Sequence, residues 1–110
     1  MTNHIFATLW GEALASNDRD RYVSDWATSS LLLDPENEGD IPDDIIDAVA
    51  QIWDVAHMSI ADIRKSVGMT QAQFAERLCV SRRTAEGWES RGCQDHIRLL
   101  IAENLGLIKR

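Results

Sequence analysis

The sequence contains no long apolar run. No stretch approaches the roughly eighteen consecutive apolar residues that a membrane-spanning helix requires. The first residues also lack the basic start and the apolar stretch of a secretory signal peptide. We therefore expect a cytoplasmic protein without a membrane partner.

Cysteine is scarce as well. The two cysteines, Cys79 and Cys93, show no paired-motif spacing, which favours reduced thiols. Cys93 and His96 have the spacing of one pair of metal ligands, but no second pair accompanies them at the spacing of a zinc site. We expect neither a metal nor a cofactor.

A catalytic grouping is also missing. The acidic residues between Asp34 and Asp54 lie in a linker and at a helix start, where acids are ordinary. No nucleophile or general base accompanies them. The sequence therefore predicts that the protein is not an enzyme.

The sequence does contain apolar residues at helical spacing, with few strand signals and no internal repeat. This pattern predicts an all-α protein. The acidic segment 34–40, with its proline and glycine, is typical of a linker. The predicted helices are 3–15, one around Tyr22–Ala27 that runs on towards Leu31–Leu33, 42–56, 59–67, two within 70–92, and 97–105.

The tryptophans allow two interpretations. Trp10, Trp26 and Trp53 lie on the apolar faces of their predicted helices, as core residues or as part of a partner surface. Trp88 is predicted to lie in the core. Ile97, Leu100, Ile101 and Leu105 define the last predicted helix.

Charge is divided unevenly along the chain. The net charge is −7, but residues 1–58 hold twelve acidic and two basic residues, whereas 59–110 hold six acidic and nine basic residues. Because salt screens charges beyond about 8 Å at physiological ionic strength, the charge of each half attracts or repels only groups close to it. The second half therefore suits phosphate, and the first half is expected to face away from DNA or to meet a basic protein.

The segment 70–92 has the pattern of two short helices joined by a tight turn. Thr70 and Gln73 form a capping-box pair at the start of the first helix, and Ser81 is a suitable cap for the second. The small Ala75 permits a close crossing of the two helices. Such a pair forms a helix-turn-helix, which lays its second helix in the major groove of DNA.

Ile63–Gly92 resembles the lambda-repressor/Cro (Xre-like) family of helix-turn-helix regulators. The residues that carry the resemblance in register are Gln71, Phe74, Ala75, Val80, Ser81, Thr84, Trp88 and Glu89. Domains of that family have five short helices. The resemblance implies a five-helix lambda-repressor-like DNA-binding domain, here with an acidic N-terminal helical extension.

The resemblance also implies roles for individual residues. Gln71 would touch a phosphate, and Arg82 and Arg83 would reach base edges. Thr84 would support a backbone contact, and the Ser81 hydroxyl with its neighbouring N–H groups suits a phosphate. The candidate DNA-contacting residues are Gln71, Ser81, Arg82, Arg83, Thr84, Glu86, Gly87 and Arg91.

The resemblance also implies one structural pair, and the sequence departs from the family pattern at a few positions. Arg64 would pair with Glu89 as a structural pair. Gly87 stands where the family often carries a further base-reading side chain. Cys79 replaces the usual glycine of the turn, so a left-handed backbone there would be mildly strained. The usual ending of the second helix is shifted by one residue, to Gly92.

These patterns divide the chain into an acidic helical extension and linker, 1–40, and a helix-turn-helix DNA-binding domain, 41–110, with its motif at 70–92. They predict a sequence-specific double-stranded DNA-binding transcriptional regulator, a repressor that acts as a homodimer on a near-palindromic operator. The dimer surface is either the N-terminal helices or the last helix. Two alternatives stay open: an antitoxin whose acidic N-terminal half binds a basic toxin, and a protein-interaction adaptor without DNA binding.

Overall fold

The computed structural model describes residues 2–29 and 43–109, and every regular element in these ranges is an α-helix. The all-α prediction is therefore confirmed. The leucines at 31–33 and the linker at 34–40 lie outside the described residues. The helices are α1 (Asn3–Ala15), α2 (Arg19–Ala27), α3 (Asp43–Ala56), α4 (Ile60–Ser66), α5 (Gln71–Leu78), α6 (Arg82–Arg91) and α7 (Asp95–Asn104).

Contacts divide the chain into two compact units. The N-terminal unit lies within Met1–Ala56 and Ile108–Arg110 and contains α1 to α3. The C-terminal unit is His57–Leu107 and contains α4 to α7. The helix α3, which the sequence assigned to the DNA-binding domain, packs against α1 and α2. The division at residue 40 stays a prediction.

In the N-terminal unit, α3 packs its wide apolar face against both other helices. Trp10 and Trp26 are buried core residues, whereas Trp53 is half-buried and donates its indole N–H to the Ser16 hydroxyl at 3.2 Å. The buried core residues on the three helices are Phe6, Leu9, Trp10, Ala13, Tyr22, Trp26, Val49, Ile52, Val55 and Ala56.

The end of α2 differs from its predicted extension towards the leucines. The Thr28 hydroxyl donates to the Asp25 carbonyl at 3.1 Å, and the Ser29 N–H donates to the Trp26 carbonyl at 3.0 Å. These two bonds satisfy terminal carbonyls that another helical turn would otherwise have used. The helix therefore ends at Ala27.

Three helices of the C-terminal unit, α4, α5 and α6, begin at the predicted caps, whereas α7 begins at Asp95, two residues before its predicted start. Ser59 forms a capping box with Asp62, and Thr70 forms one with Gln73. Ser81 caps α6 by accepting a backbone N–H. The buried apolar residues of this unit are Ile60, Ile63, Phe74, Ala75, Ala85, Leu99, Ile101 and Ala102.

The last helix, α7, carries an exposed leucine. Leu100 is 55% exposed. At about 100° per residue, it lies roughly opposite Arg98 and Ala102 on the helix. Those two are buried, and the Arg98 guanidinium donates to the Met58 carbonyl at 2.8 Å and to the Asp95 carboxylate at 2.7 Å.

None of the described helices is both long and apolar enough to cross a membrane. Among the same residues, no three His, Cys, Asp or Glu side chains are grouped so that they could hold a metal ion. Burial raises the pKa of the half-buried Cys93 thiol, which disfavours the thiolate that binds metals.

Candidate nucleic-acid interface

The turn between α5 and α6 contains a left-handed residue. Cys79 has φ 56° and ψ 38°, and no other non-glycine residue in the described ranges has a positive φ. The Cys79 N–H donates to the Glu76 carbonyl at 3.2 Å, and the Val80 N–H donates to the Ala75 carbonyl at 3.0 Å. This is the Schellman pattern of a helix end. It turns the chain sharply, so that α6 packs across α5.

Two hydroxyl groups lie at the start of α6. The Ser81 hydroxyl accepts the Thr84 N–H at 3.1 Å, and it lies 2.9 Å from the Thr84 hydroxyl. Both side chains are exposed. A helix N-terminus with exposed hydroxyls and free N–H groups attracts anions, so this end of α6 is chemically suited to a phosphate.

Three side chains join α4, α5 and α6 behind the exposed face of α6. Arg64 donates to one carboxylate oxygen of Glu89 at 2.6 Å and to the Met69 carbonyl at 2.9 Å. Gln71 donates to the other oxygen of Glu89, also at 2.6 Å. The side chains of Arg64 and Glu89 are only 15% and 13% exposed. The cluster formed by Arg64, Gln71 and Glu89 therefore fixes the orientation of α6.

The electrostatics of this cluster favour a charged Glu89. The hydrogen bond from Arg64 is the main cause that lowers the pKa of Glu89, and the bond from Gln71 adds to it. Burial opposes both by raising the pKa of Glu89, but the net direction is downward. The carboxylate therefore stays ionised at neutral pH and holds both donors.

The two faces of α6 differ sharply. Ala85 is buried against the unit, and Trp88, predicted to lie in the core, is only half-buried. At about 100° per residue, Arg83 and Gly87 lie roughly opposite Ala85. Arg83 is exposed. This outward face is the surface that a DNA groove would meet.

The arginines of α6 have different surroundings. Arg82 donates to Glu86 at 3.1 Å along the helix. Arg83 and Arg91 have no hydrogen bond or ion pair among the described residues. The guanidinium of Arg91 lies beside Gly87, where a Cβ built on the glycine would come within 2.7 Å of Arg91 Nη2. The adjacent arginines, which the sequence treated as equivalent, are therefore not equivalent.

Sequence reasoning placed Arg64 with Glu89 and missed the second donor, Gln71. The structure brings all three together, although the family resemblance implied that Gln71 touches a phosphate. No local pattern could have revealed this contact, because Gln71 and Glu89 are eighteen positions apart. Sequence reasoning also missed the contact between Arg98 and Asp95. The spacing of these residues could have indicated it, since side chains three positions apart are neighbours on a helix.

Comparison with known proteins adds one finding. A family model described as helix-turn-helix matches residues 60–105, which contain α4 to α7 and all the candidate DNA-contacting residues. No curated protein matches the chain. No solved structure matches it either.

Proposed function

Because residues 60–105 match a helix-turn-helix family model and resemble the lambda-repressor/Xre-like DNA-binding regulators, we propose that this protein is a sequence-specific repressor of transcription. It would bind double-stranded DNA in the cytoplasm and block transcription by occupying an operator. The observation that carries the proposal is the outward face of α6. Arg83 stands there without a partner among the described residues, while Arg64, Gln71 and Glu89 hold the helix from behind.

The candidate side chains in the first half of α6 have different roles in this proposal. The hydroxyls of Ser81 and Thr84 bind a phosphate at the start of α6, and Arg83 reads a base edge. Arg82 is held by Glu86 in an ion pair with both side chains exposed. Exposed pairs of this kind contribute only about 0.2–1 kcal/mol, so DNA can draw Arg82 away.

Gln71 requires a more specific role. Its amide already donates to Glu89, so the side chain is oriented before DNA arrives. It lies at the first position of α5, where the backbone N–H groups have no partner inside the helix. A phosphate at this position would be bound by those N–H groups, with Gln71 as a neighbour.

We propose that the protein binds as a homodimer. One recognition helix contacts only a few base pairs, so two copies are needed for tight binding. A symmetric dimer places its two helices about 34 Å apart on a near-palindromic site.

The test is a selection of genome fragments with the purified protein at about 150 mM salt. We expect an enriched inverted repeat, and we expect the Arg82→Ala/Arg83→Ala variant to lose it. Arg21→Ala is a charge control, because it removes one exposed arginine from the N-terminal unit. Equal enrichment by the double variant and the wild type would contradict the role of α6.

One observation supports an antitoxin as the second candidate. An open cleft of about 390 Å³ between α1 and α2 is lined by three carboxylates, Glu12, Asp18 and Asp25, and by one basic side chain, Arg21, which lies 3.9 Å from Asp25. This excess of acidic groups suits the basic side chains of a partner protein.

Copurification of a small basic protein with the chain, lost in a Glu12→Gln/Asp25→Asn variant, would favour the antitoxin. A stable homodimer that binds its operator alone would favour the repressor. The adaptor without DNA binding would be favoured if wild type and Arg82→Ala/Arg83→Ala bind all duplexes equally weakly.

A further inference from the structure

The outward face of α6 has a gap at its centre, and an arginine from the helix end fills it. Gly87 offers no side chain there. The guanidinium of Arg91 occupies that space, because a Cβ on Gly87 would lie 2.7 Å from Arg91 Nη2 and 3.7 Å from both Cζ and Nε. Real Cβ atoms essentially never come within 3 Å of another heavy atom, so a Cβ at position 87 would make the flexible end of the Arg91 side chain shift.

Helix geometry explains why Arg91 reaches this point. Side chains on an α-helix tilt towards its N-terminus, so each covers the turn that precedes its own Cα. Arg91 is one turn beyond Gly87, as Gly87 is one turn beyond Arg83. The last residue of α6 therefore presents its charge near the middle of the helix instead of beyond its end.

Among the residues that the structure describes, no other group forms a hydrogen bond or an ion pair with this guanidinium. The Arg91 side chain is exposed. Glu86, the carboxylate of α6 next to the glycine, is held by Arg82. The five N–H donors of Arg91 are therefore available to a ligand that approaches the outward face.

We propose that Arg91 is a second base-reading residue. Because Gly87 has no side chain, the guanidinium of Arg91 can lie at the centre of the outward face of α6. This inference rests on the proposed function. Positions 83 and 87 are about 6 Å apart along the helix, against about 3.4 Å per base-pair step, so Arg83 and Arg91 address different base pairs. The matching ligand is a guanine, whose O6 and N7 accept a bidentate arginine.

The experiment compares base preferences of the full chain at every position of its selected site, using wild type, Arg91→Ala, Gly87→Ala and the double variant. We expect both single variants to lose the preference for guanine at the same base pair of each half-site. The expected loss is about 5- to 150-fold, the equivalent of 1–3 kcal/mol at 1.4 kcal/mol per tenfold. The double variant should lose no more than either single variant.

Stability controls separate displacement of Arg91 from misfolding. Gly87→Ala should raise the unfolding midpoint, because alanine favours helix over glycine. Gly11→Ala is the matched control, since Gly11 lies in α1 and a Cβ there would meet nothing within 4 Å. It should raise the midpoint without changing base preference. Arg83→Ala should relax a different base pair from Arg91→Ala.

Three outcomes would overturn the inference. An unchanged guanine preference in Gly87→Ala would show that displacing Arg91 is without consequence. A uniform loss of affinity on all duplexes in Arg91→Ala, with a smaller salt dependence, would make Arg91 a phosphate contact. A wild-type protein with no base preference at any position would overturn the proposed function as well, which distinguishes that failure from the other two.

Discussion

At the scale of single residues, the surroundings of the three arginines of α6 decide how they can act. Arg82 is paired with Glu86, whereas Arg83 and Arg91 have no partner among the described residues. The sequence predicted the arginines as a group. It could not rank them, because rotamers and contacts between side chains determine which guanidinium is free.

The difference in surroundings between Arg82 and Arg83 predicts unequal effects of their alanine variants on DNA binding. Arg83→Ala should weaken binding to the selected operator by about 1–3 kcal/mol, since it removes a base contact. Arg82→Ala should weaken it less, because part of its charge is already neutralised by Glu86. Fluorescence anisotropy with the operator duplex measures both values. A larger loss in Arg82→Ala would reverse the assignment.

The turn residue Cys79 allows a stability prediction. Its left-handed backbone strains an L-residue by about 1–2 kcal/mol. Glycine removes that strain but adds about 0.5–1 kcal/mol of unfolded-state entropy. Cys79→Gly should therefore raise the free energy of unfolding by about 0.5–1 kcal/mol in urea denaturation. Cys79→Ala is the control, because it removes the thiol and keeps the Cβ; an equal gain there would exclude strain as the cause.

At the scale of elements, the starts of the helices with side-chain caps were predictable, and the packing partners of the helices were not. Ser59 with Asp62 and Thr70 with Gln73 cap their helices through contacts three residues apart, which a sequence displays directly. The packing of α3 against α1 and α2 was not predicted, because an apolar face does not specify what covers it. The exposure of Leu100 is of the same kind.

The cluster that joins α4, α5 and α6 predicts a stability change. Glu89→Gln should lower the free energy of unfolding by about 1–3 kcal/mol at pH 7, because it removes the charge that Arg64 binds. Urea denaturation measures the change. Glu76→Gln is the matched control, since Glu76 is an exposed carboxylate on α5. If both variants lost the same stability, the cluster would have no special role.

The same cluster predicts a pH dependence. The folded-state pKa of Glu89 is lower than its ordinary value of 4.5. Its contribution to stability is therefore fully present above pH 4.5 and is lost as the pH falls through the folded pKa. Wild type should lose more stability than Glu89→Gln between pH 6 and the acidic limit of folding. Parallel curves for the two proteins would contradict this assignment.

At the scale of the whole molecule, charge is divided unevenly along the chain. The acidic first half and the basic second half were evident from the sequence, and the helix-turn-helix resemblance was confirmed by the family match over 60–105. The role of the N-terminal unit was not predictable in the same way, because acidic helices suit both a dimer and a basic partner. Its three helices share one core, which makes it a folded unit.

The central claim is that the protein binds a specific DNA sequence through α6. Its most direct test is the ratio of two Kd values at about 150 mM salt, one for the selected operator and one for a scrambled duplex of the same length and composition. We predict a ratio of at least about 10³, as expected for specific regulators. A ratio near one, with weak and equally salt-sensitive binding to both duplexes, would contradict the claim.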